Sequence, residues 1–439
     1  DKDEYKKIMQ AFKENRKFFK LKDESFIDFR DEEVRKILNL IDNLNDESDI
    51  KSNKIQVHKS KSVFFNECIK DNNLLSVYTD YLKGTISRDQ LYAYVPSEIK
   101  ESIINLGIGE QNNASIFGKI DHQLDLLTNK SVDLIVGGPP CQAYSLVGRA
   151  RSEDNMKGDS RNFLYVQYAN FLEKYQPKMF VFENVIGLLS AGKGIYLENM
   201  KRLFNKKGYK IEVFKVNAED FGVLQKRKRL IIVGWRDDFL PNIPNFEKQS
   251  FGDTSFVHNL FSDLPILQAG EGVDKAGLYR SSGSDYLKNT NIRNGNDFVT
   301  QHIARPHSLQ DKEIYKIAVD KWENKMDRLN YNDLPDRLKT HSNRTSFTDR
   351  FKVVANNLQS SHTVVAHIAK DGHYYIHNDI EQNRSISVRE AARLQSFPDN
   401  FYFEGVKEGA NRTAAFKQIG NAVPPLMANQ IASKIKELL

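Results

Sequence analysis

The stretch Val132-Asp133-Leu134-Ile135-Val136-Gly137-Gly138-Pro139-Pro140-Cys141-Gln142 constrains this chain more than any other. Its apolar run predicts a buried strand, the two glycines permit a sharp turn at the carboxyl end, and the two prolines stiffen the exit. In an open α/β sheet that place is where ligands bind. A free cysteine is ordinarily among the most buried residue types, so the rest of the chain must decide whether Cys141 packs or reacts.

It favours reaction. A helix-like stretch over 163–175 leads into Met179-Phe180-Val181-Phe182, a second buried strand, which ends in Glu183-Asn184-Val185. A carboxylate at the end of a neighbouring strand is placed to point into the same crevice. Further on, Asn217-Ala218-Glu219-Asp220-Phe221-Gly222-Val223 runs into Gln225-Lys226-Arg227-Lys228-Arg229 and then a strand over 230–235. Strand alternation puts Gln225, Arg227 and Arg229 on one face and the two lysines on the other. Near the end stand Arg389-Glu390-Ala391-Ala392-Arg393-Leu394-Gln395-Ser396-Phe397-Pro398 and Gln418-Ile419-Gly420-Asn421-Ala422-Val423-Pro424-Pro425.

These five blocks, in this order, resemble the DNA (cytosine-5) methyltransferase family, over about 131–235 and again from about 349 to the end. The resemblance implies an α/β fold: a class I, Rossmann-like methyltransferase sheet with an inserted target-recognition domain. It implies S-adenosylmethionine as cofactor and duplex DNA as substrate, with a cognate restriction endonuclease as a further partner in a bacterial cytoplasm. Cys141 would attack C6 of cytosine, which activates C5 toward the methyl group. A free thiol is only a few per cent thiolate near neutral pH, so the site must favour the thiolate. Glu183 would protonate or hydrogen-bond N3; a water-poor pocket that raises its pKa suits that task. Arg227 and Arg229 would bind cytosine O2 and phosphate through their planar forks of donors. Pro139, through its carbonyl, and Gln142 and Gln225 complete the implied substrate contacts. Leu164, Asn421 and Val423 match positions at the cofactor pocket. The base must leave the duplex stack to reach these groups.

The organisation expected from this reading is a charged helical segment over 1–60, a catalytic domain over 61–236, a recognition domain over 237–348 and a return to the catalytic domain over 349–439. The segment 361–367 with the turn at Asp371-Gly372 reads as a hairpin closing the recognition domain. Its base readers cannot be sorted from phosphate contacts, because both use arginine and asparagine. The final helix, over 426–438, is expected beside the cofactor strands.

The front departs from the family pattern. The family's Phe-x-Gly-x-Gly-Gly turn and following acidic residue should precede the cysteine block, yet residues 1–60 contain no glycine and open with a charged, helix-favouring tract. Leu106-Gly107-Ile108-Gly109 lies only about thirty residues before Cys141 and reads as a loop or helix terminus. The sheet is therefore expected to be incomplete in its N-terminal half. Three explanations stand: a missing amino-terminal piece, a second polypeptide carrying the glycine-rich cofactor motif, or a DNA-binding subunit without catalysis. Methylation of transfer RNA on the same scaffold is a further alternative, disfavoured by the long recognition segment.

Composition agrees. The net charge of +6 over 439 residues is compatible with nucleic acid binding. Two cysteines, Cys68 and Cys141, offer no disulfide framework or zinc spacing and fit a reducing compartment. Cys68 sits in an amphipathic pattern and is expected to pack. No apolar run approaches the roughly 18 residues of a membrane span.

Overall fold

The computed structural model describes residues 74–140, 163–239, 246, 255–345, 347–406 and 409–439, and before them 7, 8, 10–12, 14, 16–21, 26–30, 34, 50, 51, 54 and 55. Cys141, Gln142 and Cys68 lie outside the described residues. The chain forms two compact units, one of Asp1–Tyr81 with Gln90–Tyr94 and one of Leu82–Asp89 with Val95–Leu439. The division thus falls at Tyr81 rather than after residue 60. In the first unit, Phe18–Lys20 pairs antiparallel with Phe26–Asp28, so the charged opening is not the continuous helix its composition suggests. Phe29 and Ala11 are buried together there.

The second unit is built on a sheet of four strands, β1 (Leu134–Gly137), β2 (Met179–Val185), β3 (Tyr209–Asn217) and β4 (Lys228–Arg236), in the order β1-β2-β4-β3. β1 and β2 are parallel, and β4 runs antiparallel to both of its neighbours. The apolar runs read from sequence are β1, β2 and β4, β3 being an addition of the structure, and period-2 alternation sends the side chains of β2 and β4 to two different cores. Phe180, Phe182, Leu230 and Ile232 pack with Tyr168 and Leu172 of α1 (Leu164–Tyr175) and with Met200 and Phe204 of α2 (Ile195–Lys206). Met179, Val181, Ile231, Val233 and Trp235 face the other way. They meet Met427, Ile431 and Ile435 of the last helix, Pro425–Lys436, which therefore covers the strands as expected. Gly234 is required: a Cβ on it would overlap the Phe180 ring.

Downstream, 255–300 is not a separate globule. Val257, Leu260, Tyr286, Leu287 and Ile292 share one core with Val364, Ile386, Leu394, Phe416 and Ile419, so the recognition segment and the return segment fold against each other. Beside that core, α3 (Leu309–Lys325), started by a capping box of Ser308 and Asp311, packs with Leu329, Phe351 and Ile376. The expected hairpin around 361–372 is instead a parallel connection. Ser361 bridges to Gln225 in parallel, and Val353–Val354 pairs in parallel with Ile376–His377. The segment returns to the catalytic strand rather than turning on itself.

The centre of this assembly is α4 (Val388–Leu394), in which every residue is buried, charged ones included. Arg393 grips Asp399 with two hydrogen bonds of 2.8 and 2.6 Å and also reaches Asp263. Arg389 donates to the carbonyls of Thr300, Pro398 and Phe401, each at 2.7 Å. Glu390 caps the helix from within and accepts a two-pronged contact from Arg384, at 2.7 and 2.8 Å. Burial alone would raise Glu390; Arg384 above all holds it below the usual carboxylate range. Breaking one partner of such a pair strands a charge, at a cost of about 3–5 kcal/mol.

Two buried imidazoles, His302 and His377, and two half-buried ones, His307 and His362, lie in the same unit. Burial pushes His302, His307, His362 and His377 down to about 4. Each takes its proton near pH 6.5 in the unfolded chain and only near pH 4 in the folded one, so between those values the unfolded chain holds more protons. Stability is then complete above about pH 6.5 and falls as pH drops toward 4, by up to roughly 1.4 kcal/mol per unit for each histidine. Thermal melts at pH 7, 6 and 5 should show a progressive fall in Tm. His302→Gln should flatten that slope, and an unchanged slope would remove His302 from the account.

Candidate active site

Met179 and Val181 of β2 and Ile231, Val233 and Trp235 of β4 face the last helix, and by strand alternation Glu183 and Arg229 lie on that same face. Val185 pairs with Arg229 and Glu183 with Ile231 across the antiparallel ladder, which sets the two charged side chains diagonally on one face. Arg229 Nε lies 2.8 Å from Glu183 Oε1, and both side chains are largely buried. Burial raises the Glu183 carboxyl above its usual range, against the downward pull of Arg229 and then Arg227. A raised carboxyl held by a guanidinium can either carry a proton or accept a hydrogen bond.

β1 delivers the proline turn to this carboxylate. Gly137 lies against the Tyr168 ring, which a Cβ would approach to 2.6 Å, and the Tyr168 hydroxyl sits 3.1 Å from the carbonyls of both Ile135 and Val181. Gly138 follows, and a Cβ there would come within 3.2 Å of Glu183 Oε2. The lack of two side chains lets the turn pass directly over the acid. Asn184, fully buried, donates from Nδ2 to the Pro139 carbonyl at 3.4 Å and accepts the Val185 N–H at Oδ1. That carbonyl, expected to face the substrate amine, is thus also the point where β2 steadies the turn leading to Cys141.

The alternation expected of the basic run is present: Gln225 and Arg227 are buried, and Lys226 and Lys228 are exposed. The substrate roles expected for Gln225 and Arg227 are not what their contacts support. Gln225 donates to the Leu394 carbonyl at 2.8 Å and to Gln395 Oε1 at 3.0 Å, and accepts the Val364 N–H at 2.9 Å. Arg227, fully buried, donates to the carbonyls of Val364, Gly420 and Ala422 at 2.7, 3.0 and 2.7 Å. Donors committed to backbone carbonyls make Arg227 a clamp on the 420–422 turn, while Arg229 remains the arginine beside Glu183. Sequence periodicity reports a face; it does not report which polar partners occupy it.

The clamp explains how the carboxyl-terminal block is placed. α5 (Arg412–Asn421) brings Gly420 so close to the backbone of Val365 and Ala366 that no Cβ fits. Asn421 is exposed at the helix end, and Val423 packs among the core residues on the Glu183 face of the sheet, with Leu134. Gln395, missed as a site residue, completes the hold by donating to the Ile419 carbonyl at 2.6 Å. Ser396, in the left-handed region at φ 60°, accepts the Leu426 N–H at 3.1 Å and so starts the last helix. Buried polar residues beside a glycine block were the available signal for both.

Residues 87–437 match the family described as C-5 cytosine-specific DNA methylase. The chain belongs to that family. This methylase is 39% identical over 411 aligned residues to the Type II methyltransferase M.Bpa9945I of Bacillus paralicheniformis, a match spanning 86% of this chain and 91% of that protein. It is 32% identical over 318 residues to M1.HphI of Haemophilus parahaemolyticus, covering 72% of each. Among solved structures, a prophage-encoded Escherichia coli protein described as a DNA modification methyltransferase shares the fold, at TM-score 0.50 and 22% identity over 77% of this chain and 84% of that one. Residues 1–83 separately match a family described as Bacterial SNF2 helicase associated, and that match ends close to the division at Tyr81.

Methylases of this family take their methyl group from S-adenosylmethionine. The described residues fit only one side of that cofactor. Leu164 at the head of α1 and Val423 are partly buried apolar positions, and Asn421 is an exposed amide. Val136, in contrast, is 68% exposed on β1, whose outer edge has no strand partner among the described residues. Among the described residues no glycine-rich turn stands there to receive the polar end of the cofactor.

Proposed function

We propose that this methylase modifies C5 of cytosine within a short duplex DNA sequence, with Cys141 as nucleophile and Glu183 as the N3 acid. The observation that carries the reading is the raised Glu183 carboxyl, held by Arg229 directly beneath the Gly138-Pro139 turn that leads to Cys141. With the base flipped out of the stack, the Cys141 thiolate adds to C6 and forms the C–S bond. Electrons move toward C5 as Glu183 gives N3 its proton. Arg229 supports the cytosine O2 and keeps the resulting carboxylate paired. S-adenosylmethionine supplies the methyl group; loss of the C5 proton and expulsion of Cys141 then restore the aromatic base. Arg227 and Gln225 act as positioning residues through the 420–422 turn, and Asn184 acts through the Pro139 carbonyl. The Type II names of the relatives favour a modification role beside a cognate restriction endonuclease in a bacterial cytoplasm.

Bisulfite sequencing of a host expressing the protein should reveal one methylated sequence context. Cys141→Ser should abolish that signal and leave DNA binding largely intact, and 5-fluorocytosine DNA should trap the wild-type protein covalently. Normal turnover by Cys141→Ser would sink the assignment.

Glu183→Gln should slow single-turnover methylation by on the order of 10²-fold or more, the scale of a positioned proton donor, with little change in DNA affinity. A defect confined to affinity would make Glu183 a binding residue.

The edge of β1, which has no strand partner among the described residues, favours a second reading, in which this polypeptide needs a partner that carries the cofactor half. Parallel strands are ordinarily covered on both sides, and a bare edge is a template for pairing. Calorimetric titration of the purified chain with S-adenosylmethionine should then show weak or no binding. Tight binding by the chain alone would exclude the partner.

A further inference from the structure

The exposed lysines of the basic run are not used by this site, and they lead to a different one. Beside the 225–229 run a cleft opens where α3 meets the Ser361 bridge, lined by Phe351, Leu329 and Trp322 and by Lys226, Arg328 and Lys352. Lys226 is fixed by its backbone: its N–H donates to Ser361 O at 2.9 Å, and its carbonyl accepts from the Thr363 hydroxyl. The two carboxylates nearby are already matched, Asp327 by Lys321 at 3.1 Å and Asp349 by Lys352 at 2.7 Å. Lys226 and Arg328 are in no ion pair among the described residues, so the cleft carries surplus positive charge. His362 in its lining is held down by burial first, and both Lys352 and Arg328 add to that effect, as expected of a cationic interior.

We propose that this cleft holds the phosphodiester backbone of the substrate DNA outside the flipped nucleotide, with Lys226 and Arg328 as its phosphate ligands. The assignment rests on the DNA-methylating function proposed above. Lys226 is three residues from Arg229, at most about 10 Å along the chain, so the DNA backbone it holds lies near the flipped nucleotide. Within one short run Arg229 thus serves the active site, and Lys226 serves the flanking backbone. An apolar lining with an indole suits deoxyribose, and two unneutralised cations suit consecutive phosphates better than a single small anion. Contacts of this kind position DNA without reading its sequence.

The test is anisotropy with the full chain and a labelled 30-base-pair duplex of arbitrary sequence, over a series of KCl concentrations. Lys226→Gln and Arg328→Gln should each weaken binding several-fold and lower the slope of log affinity against log salt by about 0.9, and the double variant by nearly twice that. Lys210→Gln, at the start of β3 and exposed, should leave the slope unchanged. An unchanged slope in the double variant overturns the proposal, as does an equal loss in Lys210→Gln, or a loss seen with single-stranded RNA and not with duplex DNA. The slope is read without turnover. A wild-type protein that shows the cleft's salt dependence but leaves no methylation in the host therefore sinks the function and not the cleft.

Discussion

The pairing of Arg393 with Asp399 and Asp263, inside a helix that has no exposed residue, is the constraint on which the catalytic unit depends. Three segments distant in sequence supply its members: the start of the recognition segment, α4, and the loop after it. A guanidinium buried without its carboxylates would cost several kcal/mol, so the three segments assemble together or not at all. Arg389 extends the requirement to Thr300 and Phe401, and Arg384 with Glu390 extends it to Gln382 and Leu267. These are charge-assisted, forked hydrogen bonds, which fix orientation as well as proximity.

From that helix the order passes to the site through two amides. Gln395, one residue past α4, holds Ile419 and accepts from Gln225; Gln225 in turn holds Val364 beside Arg227. Arg227 closes the chain of contacts on Gly420 and Ala422. The carboxyl-terminal turn is therefore set against β4 by a polar relay, and the last helix then completes an apolar core on the Glu183 face. Acid, arginine and turn stand on rigid strands and a clamped loop, and a reaction that needs a base held at a fixed distance gains from such support.

The same short strand shows why residue type alone misassigns roles. Gln225, Arg227 and Arg229 share a face, yet the first two point into backbone carbonyls brought by residues more than 130 positions later, and only Arg229 meets the acid. Lys226, expected on the opposite face, lines a cleft together with residues of α3 and of the 351–362 segment. Burial separates the clamp from the reader, and burial is a property of the whole chain.

The local record in the sequence was sufficient for what depends on near neighbours. The strand before Gly137, the strand before Glu183, the basic strand and the final helix follow from apolar runs and alternation, because a strand's two faces are decided by period alone. The glycines before Pro139 announced a tight passage, and the order of the five blocks indicated the family. What the tertiary structure decided was the partner of each polar group. The raised carboxyl of Glu183, the clamp at Arg227, the parallel return of Ser361 and the shared core of the recognition and return segments each arise from contacts between residues far apart in the chain. Hydrogen-bond partners and desolvation are set by where the backbone goes, and no periodicity within a segment encodes them.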